Sequence, residues 1–279
     1  MTTTFTLGDT VVHRLGYGAM QLTGKGVWGP PRDHAEALRV LRRALELGVD
    51  FIDTADAYGP YVSEELIAEA LHPYPAGLVI ATKAGLVRTG PGEWHPLGRP
   101  EYLRQECEMS LRRLKVDRIE LFQLHRIDPQ VPAGEQFGVL RDLQKEGKVH
   151  HVGLSEVSVA EIEAARKVVP IVSVQNLYNL ANRKAEAVVE HCDKEGIGFI
   201  PWFPIASGRL LDPDGPVAKV AKEAGATASQ VSLAWLLRRS KVMLPIPGTS
   251  SVAHVEENCG AAKVELTEAQ YEALKGIAR

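Results

Sequence analysis

Three short apolar runs end in side chains able to move protons. FIDTADAYG, residues 51–59, carries Asp53, Asp56 and Tyr58; LVIATK, 78–83, ends in Lys83; IELFQLH, 119–125, ends in His125. A phenol of ordinary pKa, about 10, donates its proton poorly at neutral pH unless its anion is stabilised. Bringing it to about 7 requires roughly 4 kcal/mol, and one ammonium at about 4 Å in an effective dielectric of about 20 supplies that order. Burial of the phenol works against this, so Lys83 must stay charged, and Asp53 is suited to keeping it so. A neutral His125 can hydrogen-bond a carbonyl oxygen. Together the four suit proton donation to a carbonyl oxygen while a cofactor delivers hydride. Singly, each has a plainer reading: a strand-end aspartate as a cap, a lysine as a solvated charge, a strand histidine as a core residue.

These residues work together only if their strands share one rim. The chain of 279 residues alternates β-rich runs with amphipathic helical segments. The strands are expected at 16–20, 49–53, 78–83, 119–125, 150–155, 171–175, 198–202 and 242–247, after an N-terminal hairpin around FTLGDTVVHRL. DHAEALRVLRRALELG, 33–48, has an apolar stripe of Leu38, Leu41, Ala44, Leu45 and Leu47, with Gly48 as its stop. Eight alternating pairs predict an α/β fold closed into a (β/α)8 barrel, one domain over 1–279, whose strand C-termini meet at a single mouth. There Asp53, Lys83 and His125 close successive strands.

Composition narrows the function classes. A net charge of −3 with 45% hydrophobic and 24% charged residues argues against nucleic acid. No run of 18 apolar residues and no secretory leader is visible, so a cytoplasmic protein without membrane attachment, a monomer, is expected. Cys107, Cys192 and Cys259 are expected to be reduced, buried thiols. No metal is expected: HExxH and clustered Cys/His are absent, and His150 and His151, adjacent on a strand, should face opposite ways. GKGVWG, 24–29, matches the dinucleotide fingerprint GxGxxG with Asp50 downstream, but Pro30 and Pro31 follow where a helix should open, and no strand precedes it. Trp28 and Trp94, in loops after the first and third strands, could wall a substrate pocket.

FIDTADAYG, the TK at 82–83, LFQLH and the late IPGTSSVAHVEEN resemble the aldo-keto reductase superfamily in order and spacing, across essentially the whole chain. The resemblance implies the same barrel, a nicotinamide cofactor held without a Rossmann fold, and NAD(P)H-dependent reduction of aldehydes or ketones to alcohols. It makes Tyr58 the proton donor, Lys83 and Asp53 its tuning pair, and His125 the residue that orients the carbonyl. Ala19, Met20 and Asp53 would border the cofactor. Ser155, Glu156 and Gln175 would meet its carboxamide, although many relatives carry Asn where Glu156 stands, and an ionised Glu cannot donate. Trp202 would stack on the nicotinamide, and Phe203, Pro204, Ile205, Ala206 and Gly208 belong to the loop crossing the pyrophosphate.

Gly248, Thr249 and Ser250 precede a helix starting near Ser251, and its free amides suit a phosphate. Glu257 and Asn258 resemble the family's adenine-binding pair. Gly248 and His254 stand where many relatives have Lys and Arg, so NADPH should be preferred over NADH by a margin that narrows as pH rises. Two other readings of the same residues are a barrel hydrolase using Asp53 with Asp56, and a cofactor-bound regulatory subunit with slow turnover.

Overall fold

The computed structural model describes residues 3–205 and 215–277. The chain opens with the antiparallel hairpin of β1 (Thr4–Leu7) and β2 (Thr10–His13). The barrel then runs β3 (Tyr17–Gly18), α1 (His34–Glu46), β4 (Phe51–Asp53), α2 (Val62–Leu71) and β5 (Val79–Ala84). A small hairpin follows, β6 (Leu86–Val87) with β7 (His95–Pro96), then α3 (Pro100–Leu114), β8 (Ile119–Leu124), α4 (Ala133–Lys145), β9 (Val149–Ser155), α5 (Val159–Arg166), β10 (Ile171–Gln175), α6 (Glu186–Glu195) and β11 (Gly198–Phe199). The last helices are α7 (Pro216–Ala224), α8 (Ala228–Arg239), α9 (Val252–Gly260) and α10 (Glu268–Lys275).

Seven strands pair in parallel in the order β11-β10-β9-β8-β5-β4-β3. The eighth expected strand, 242–247, forms no regular ladder, yet it closes the ring. Leu244 N and the carbonyl of Val242 bond Phe199 on one side, and the carbonyls of Pro245 and Pro247 accept from Gly16 N and Gly18 N on the other. Pro245 and Pro247 have no N–H to return, which leaves single bridges in place of a ladder. The (β/α)8 barrel with its N-terminal hairpin is therefore the fold.

Side chains alternate along each strand, and that alternation grades the barrel interior from apolar to polar. Phe51, Val79 and Leu121 join Ile200, Leu244 and the hairpin's Leu7 and Val12 in one buried cluster. Two or four residues further along the same strands stand Asp53, Lys83 and Gln123, all buried. The hairpin thus seals the N-terminal end, and the polar layer lies toward the mouth. On α1 the buried face is Ala37, Val40, Leu41 and Ala44, with Leu38 and Leu45 partly buried and Leu47 exposed. The buried face thus keeps Leu41 and Ala44 of the expected stripe, adds Ala37 and Val40, and leaves out Leu47.

At the N-terminal end a second expectation fails. The His150 and His151 rings do not point apart; they stack at 4.0 Å and 17°. Both Nε2 atoms turn to Asp9 Oδ1 in the β1–β2 turn, at 3.3 and 2.9 Å, and Glu120 holds His150 Nδ1 at 3.0 Å. At the start of a strand the pleat no longer fixes both directions. Asp9, His150 and His151 thereby bring their ligand atoms within 4.8 Å of one another, a grouping of metal-ligating side chains not expected from the sequence.

Cys107 and Cys192 are buried free thiols, pushed by burial up to about 12 and hence unreactive at neutral pH. Among the described residues no helix is long and apolar enough to cross a membrane.

Candidate active site

A cavity of about 490 Å³ opens at the C-terminal mouth. Asp53, Tyr58 and His125 line it, and Lys83 lies beneath them with no exposed surface. The Lys83 ammonium spends all three donors: on Asp53 Oδ1 at 2.6 Å, the Thr54 carbonyl at 2.8 Å and Tyr58 Oη at 3.3 Å. Asp53 Oδ2 accepts from Gln123 Nε2 and Gln175 Nε2, at 3.0 and 2.9 Å. The loop bearing Tyr58 is tied to β5 by Thr54 N to the Ala81 carbonyl and Asp56 N to the Lys83 carbonyl. His125 meets the Tyr58 ring edge-on at 5.8 Å, and no described residue bonds either of its ring nitrogens.

The electrostatics follow from this burial. Desolvation alone would lower the Lys83 ammonium, but Asp53 outweighs it and holds the group above its ordinary value, so it is cationic. Burial, then the charges of Lys83, Arg126 and Arg88, pushes His125 well below its ordinary value, so its imidazole is neutral. Tyr58 departs from expectation. Burial raises the phenol above its ordinary value, Lys83 only partly offsets this, and Asp53 adds to it. The proton stays on Tyr58 through neutral pH.

Asp56 does not reach the cavity. It is buried, its Oδ1 has no partner among the described residues, and burial with the nearby Glu64 and Glu106 charges raises it well above the carboxylate range. With Asp53 engaged by Lys83 and two glutamines, Asp53 and Asp56 form no carboxylate pair facing the cavity.

Of the expected cofactor residues, Met20, Asp53, Ser155, Gln175, Trp202, Phe203, Pro204, Ile205 and Gly248 line the cavity. Ala206 and Gly208 lie outside the described residues. Ala19 is buried and is not among the residues lining the cavity. Glu156 points away from the cavity, and its Oε1 accepts from Leu177 N and Trp202 Nε1, both at 2.6 Å, fixing the indole ring. The Ser155 hydroxyl keeps a proton to donate and the Gln175 carbonyl keeps lone pairs to accept. That donor and acceptor beside an indole face match a nicotinamide carboxamide and ring.

Thr249, Ser250 and His254 surround the start of α9, where Thr249 Oγ1 lies 3.4 Å from His254 Nδ1. Glu257 is held by Thr227 Oγ1 at 2.6 Å, and Asn258 is buried. The amide of Val252 in the first turn of α9 already donates to Glu36 Oε1 at 3.0 Å.

Trp94 walls the cavity, 6.3 Å from both Tyr58 and His125. From the neighbouring loop the wall takes Val27, while Trp28 turns outward, 36% exposed, beside Arg88. Arg88 donates to the carbonyls of Val27, Ala57, Gly26, Gly90 and Glu93 and stacks on Trp94 at 3.5 Å, tying three loops together.

A model of the Aldo/keto reductase family matches residues 14–279. The chain belongs to the aldo/keto reductase family. It is 45% identical to the pyridoxine 4-dehydrogenase of Escherichia coli over 99% of this chain and 98% of that protein, and 56% identical to an oxidoreductase of Schizosaccharomyces pombe over 95% and 86%. Among solved structures it superposes on the glycerol dehydrogenase of Gluconobacter oxydans with a TM-score of 0.86, 26% identity and coverage of 99% and 94%. The reductase is thus an NAD(P)H-dependent enzyme that reduces aldehydes or ketones to alcohols.

Sequence reasoning missed Gln123, Arg126, Arg88 and Glu36. Gln123 was within reach, since period two along IELFQLH puts it inward between Leu121 and His125.

Proposed function

We propose that this reductase takes flat aromatic aldehydes or ketones, that Tyr58 delivers the proton, and that NADPH is its preferred cofactor. The observation that carries the reading is the Lys83 ammonium, fully buried, bonded at once to Asp53 and to Tyr58 Oη. When bound, the reduced nicotinamide supplies the hydride. The substrate carbonyl oxygen sits between Tyr58 Oη and the neutral His125, which fixes its direction. As negative charge grows on that oxygen, the Tyr58 proton passes to it, and the resulting phenolate is stabilised by Lys83. Lys83 itself releases no proton, since Asp53 keeps it charged. Ser155, Gln175 and Trp202 hold the nicotinamide end.

Trp94, Tyr58 and His125 meet edge-on around the cavity and favour a planar ring, in keeping with a relative named for pyridoxine. NADPH preference is supported by the hydroxyls of Thr249 and Ser250 and by His254 near α9, and opposed by Glu36. To test the reading, loss of reduced-nicotinamide absorbance is followed with NADPH and NADH over a panel of aromatic and aliphatic aldehydes. Turnover of the aromatic members with a higher kcat/KM for NADPH is expected. Activity confined to short aliphatic aldehydes, or a preference for NADH, would reject the substrate and cofactor assignments respectively.

A further inference from the structure

We propose that Arg126 is an anion subsite of the substrate pocket, selecting carbonyl compounds that carry an acidic oxygen, a carboxylate or an ionised ring hydroxyl, on the same molecule as the reacting carbonyl. The inference rests on the carbonyl-reductase reading above. Arg126 directly follows His125, and its Nη1 donates to the His125 carbonyl at 2.5 Å and to Ser155 Oγ at 2.9 Å. These two bonds lay the guanidinium across the ends of β8 and β9, where it forms part of the cavity wall with Tyr58, Trp94 and His125. Its remaining donors, Nε and Nη2, have no protein partner among the described residues, so a five-donor group offers its unused edge to the cavity.

No described carboxylate pairs with it. Glu156, the acidic neighbour on β9's end, is already engaged by Leu177 N and the Trp202 indole and acts on Arg126 only through space. Asp53 is held by Lys83 and two glutamines. Burial lowers the guanidinium and Glu156 offsets this only in part and without a direct bond, so a ligand carboxylate or phenolate would add charge-assisted bonds that the described residues do not supply. The same cation adds to the burial and the Lys83 charge that lower His125, and offsets a small part of the burial that raises Tyr58. A fixed cation one residue from His125 confines the favoured acid group to a position near the carbonyl on the substrate ring.

The test compares 2-, 3- and 4-carboxybenzaldehyde with their methyl esters, which keep shape and lose charge. In the wild type at least one acid should exceed its ester in kcat/KM by about tenfold, mainly through KM. Arg126→Met should collapse that acid-to-ester ratio toward one, and Arg126→Lys should restore part of it. Inhibition of wild-type ester reduction by benzoate, competitive with the aldehyde, reads the same subsite without any variant. If every ester is reduced as well as its acid, or if Arg126→Met lowers acid and ester equally while weakening NADPH binding, the subsite assignment fails and Arg126 serves the cofactor instead. If neither acids nor esters nor unsubstituted benzaldehyde are reduced, the failure lies in the underlying reductase reading.

Discussion

At the C-terminal mouth, Asp53, Lys83, Tyr58 and His125 are buried, whereas at the N-terminal end Asp9 leaves 71% of its side chain in water beside the stacked His150 and His151. Both ends bring an aspartate within hydrogen-bond reach of ionisable neighbours. Only the mouth adds enclosure and a permanent cation. There Lys83 stays charged, His125 is forced neutral and the Tyr58 proton is retained, three states fixed at once by burial and one buried ion pair. At the other end, burial with the neighbouring His150 lowers His151, but water screens Asp9. Enclosure, more than the choice of residues, separates the proposed proton-transfer site from a polar cluster open to water at Asp9.

The largest break in this comparison is Lys83→Met. It leaves Asp53 buried without its cation, which should lower stability by about 3 kcal/mol or more in chemical denaturation. It should also cut kcat about 100-fold or more in steady-state assays. Asp9→Asn at the opposite end should leave kcat/KM within about twofold of wild type. A comparable loss in both variants would remove the distinction.

Acid stability sharpens it further. A histidine held below its ordinary value takes up its proton more readily when unfolded, so stability is retained above about pH 6.5 and lost as pH falls below that value. His125, lowered well, should dominate. Melting from pH 7 to 5 should therefore show a steep loss that His125→Asn flattens more than His151→Asn does. Equal flattening by both would mean that enclosure at the mouth is not the controlling difference.

A smaller effect concerns the cofactor. Glu36→Gln removes the carboxylate now seated on the first turn of α9 and should raise the NADPH-to-NADH ratio of kcat/KM about fivefold. An unchanged ratio would place the 2′-phosphate away from that turn.

The mouth was legible because inward alternation and strand endings follow from short-range pattern. FIDTADAYG, TK and LFQLH carry both the period and the chemistry, and the eight strand positions follow from the same periodicity. What was not legible depends on contacts distant in sequence or on backbone detail. Glu36 reaches α9 across 216 positions, and nothing local in α1 announces it. The proline-broken closure at 242–247 reads as a strand and pairs only by single bridges. The His150–His151 stack needs Asp9 from the hairpin, 142 positions from His151. The raised Tyr58 phenol reflects how completely the fold encloses it, a quantity that residue identity does not carry.

The most direct measurement is Tyr58→Phe, which deletes one oxygen and keeps the ring between Trp94 and His125. With the fold checked by melting temperature, kcat for aldehyde reduction should fall about 100-fold or more while the Kd for NADPH stays within about twofold. Across pH 6 to 9 wild-type reduction should hold steady, because a phenol above its ordinary value, about 10, keeps its proton throughout that range. Near-wild-type kcat in the folded Tyr58→Phe variant would contradict the account, since proton delivery would then come from another group.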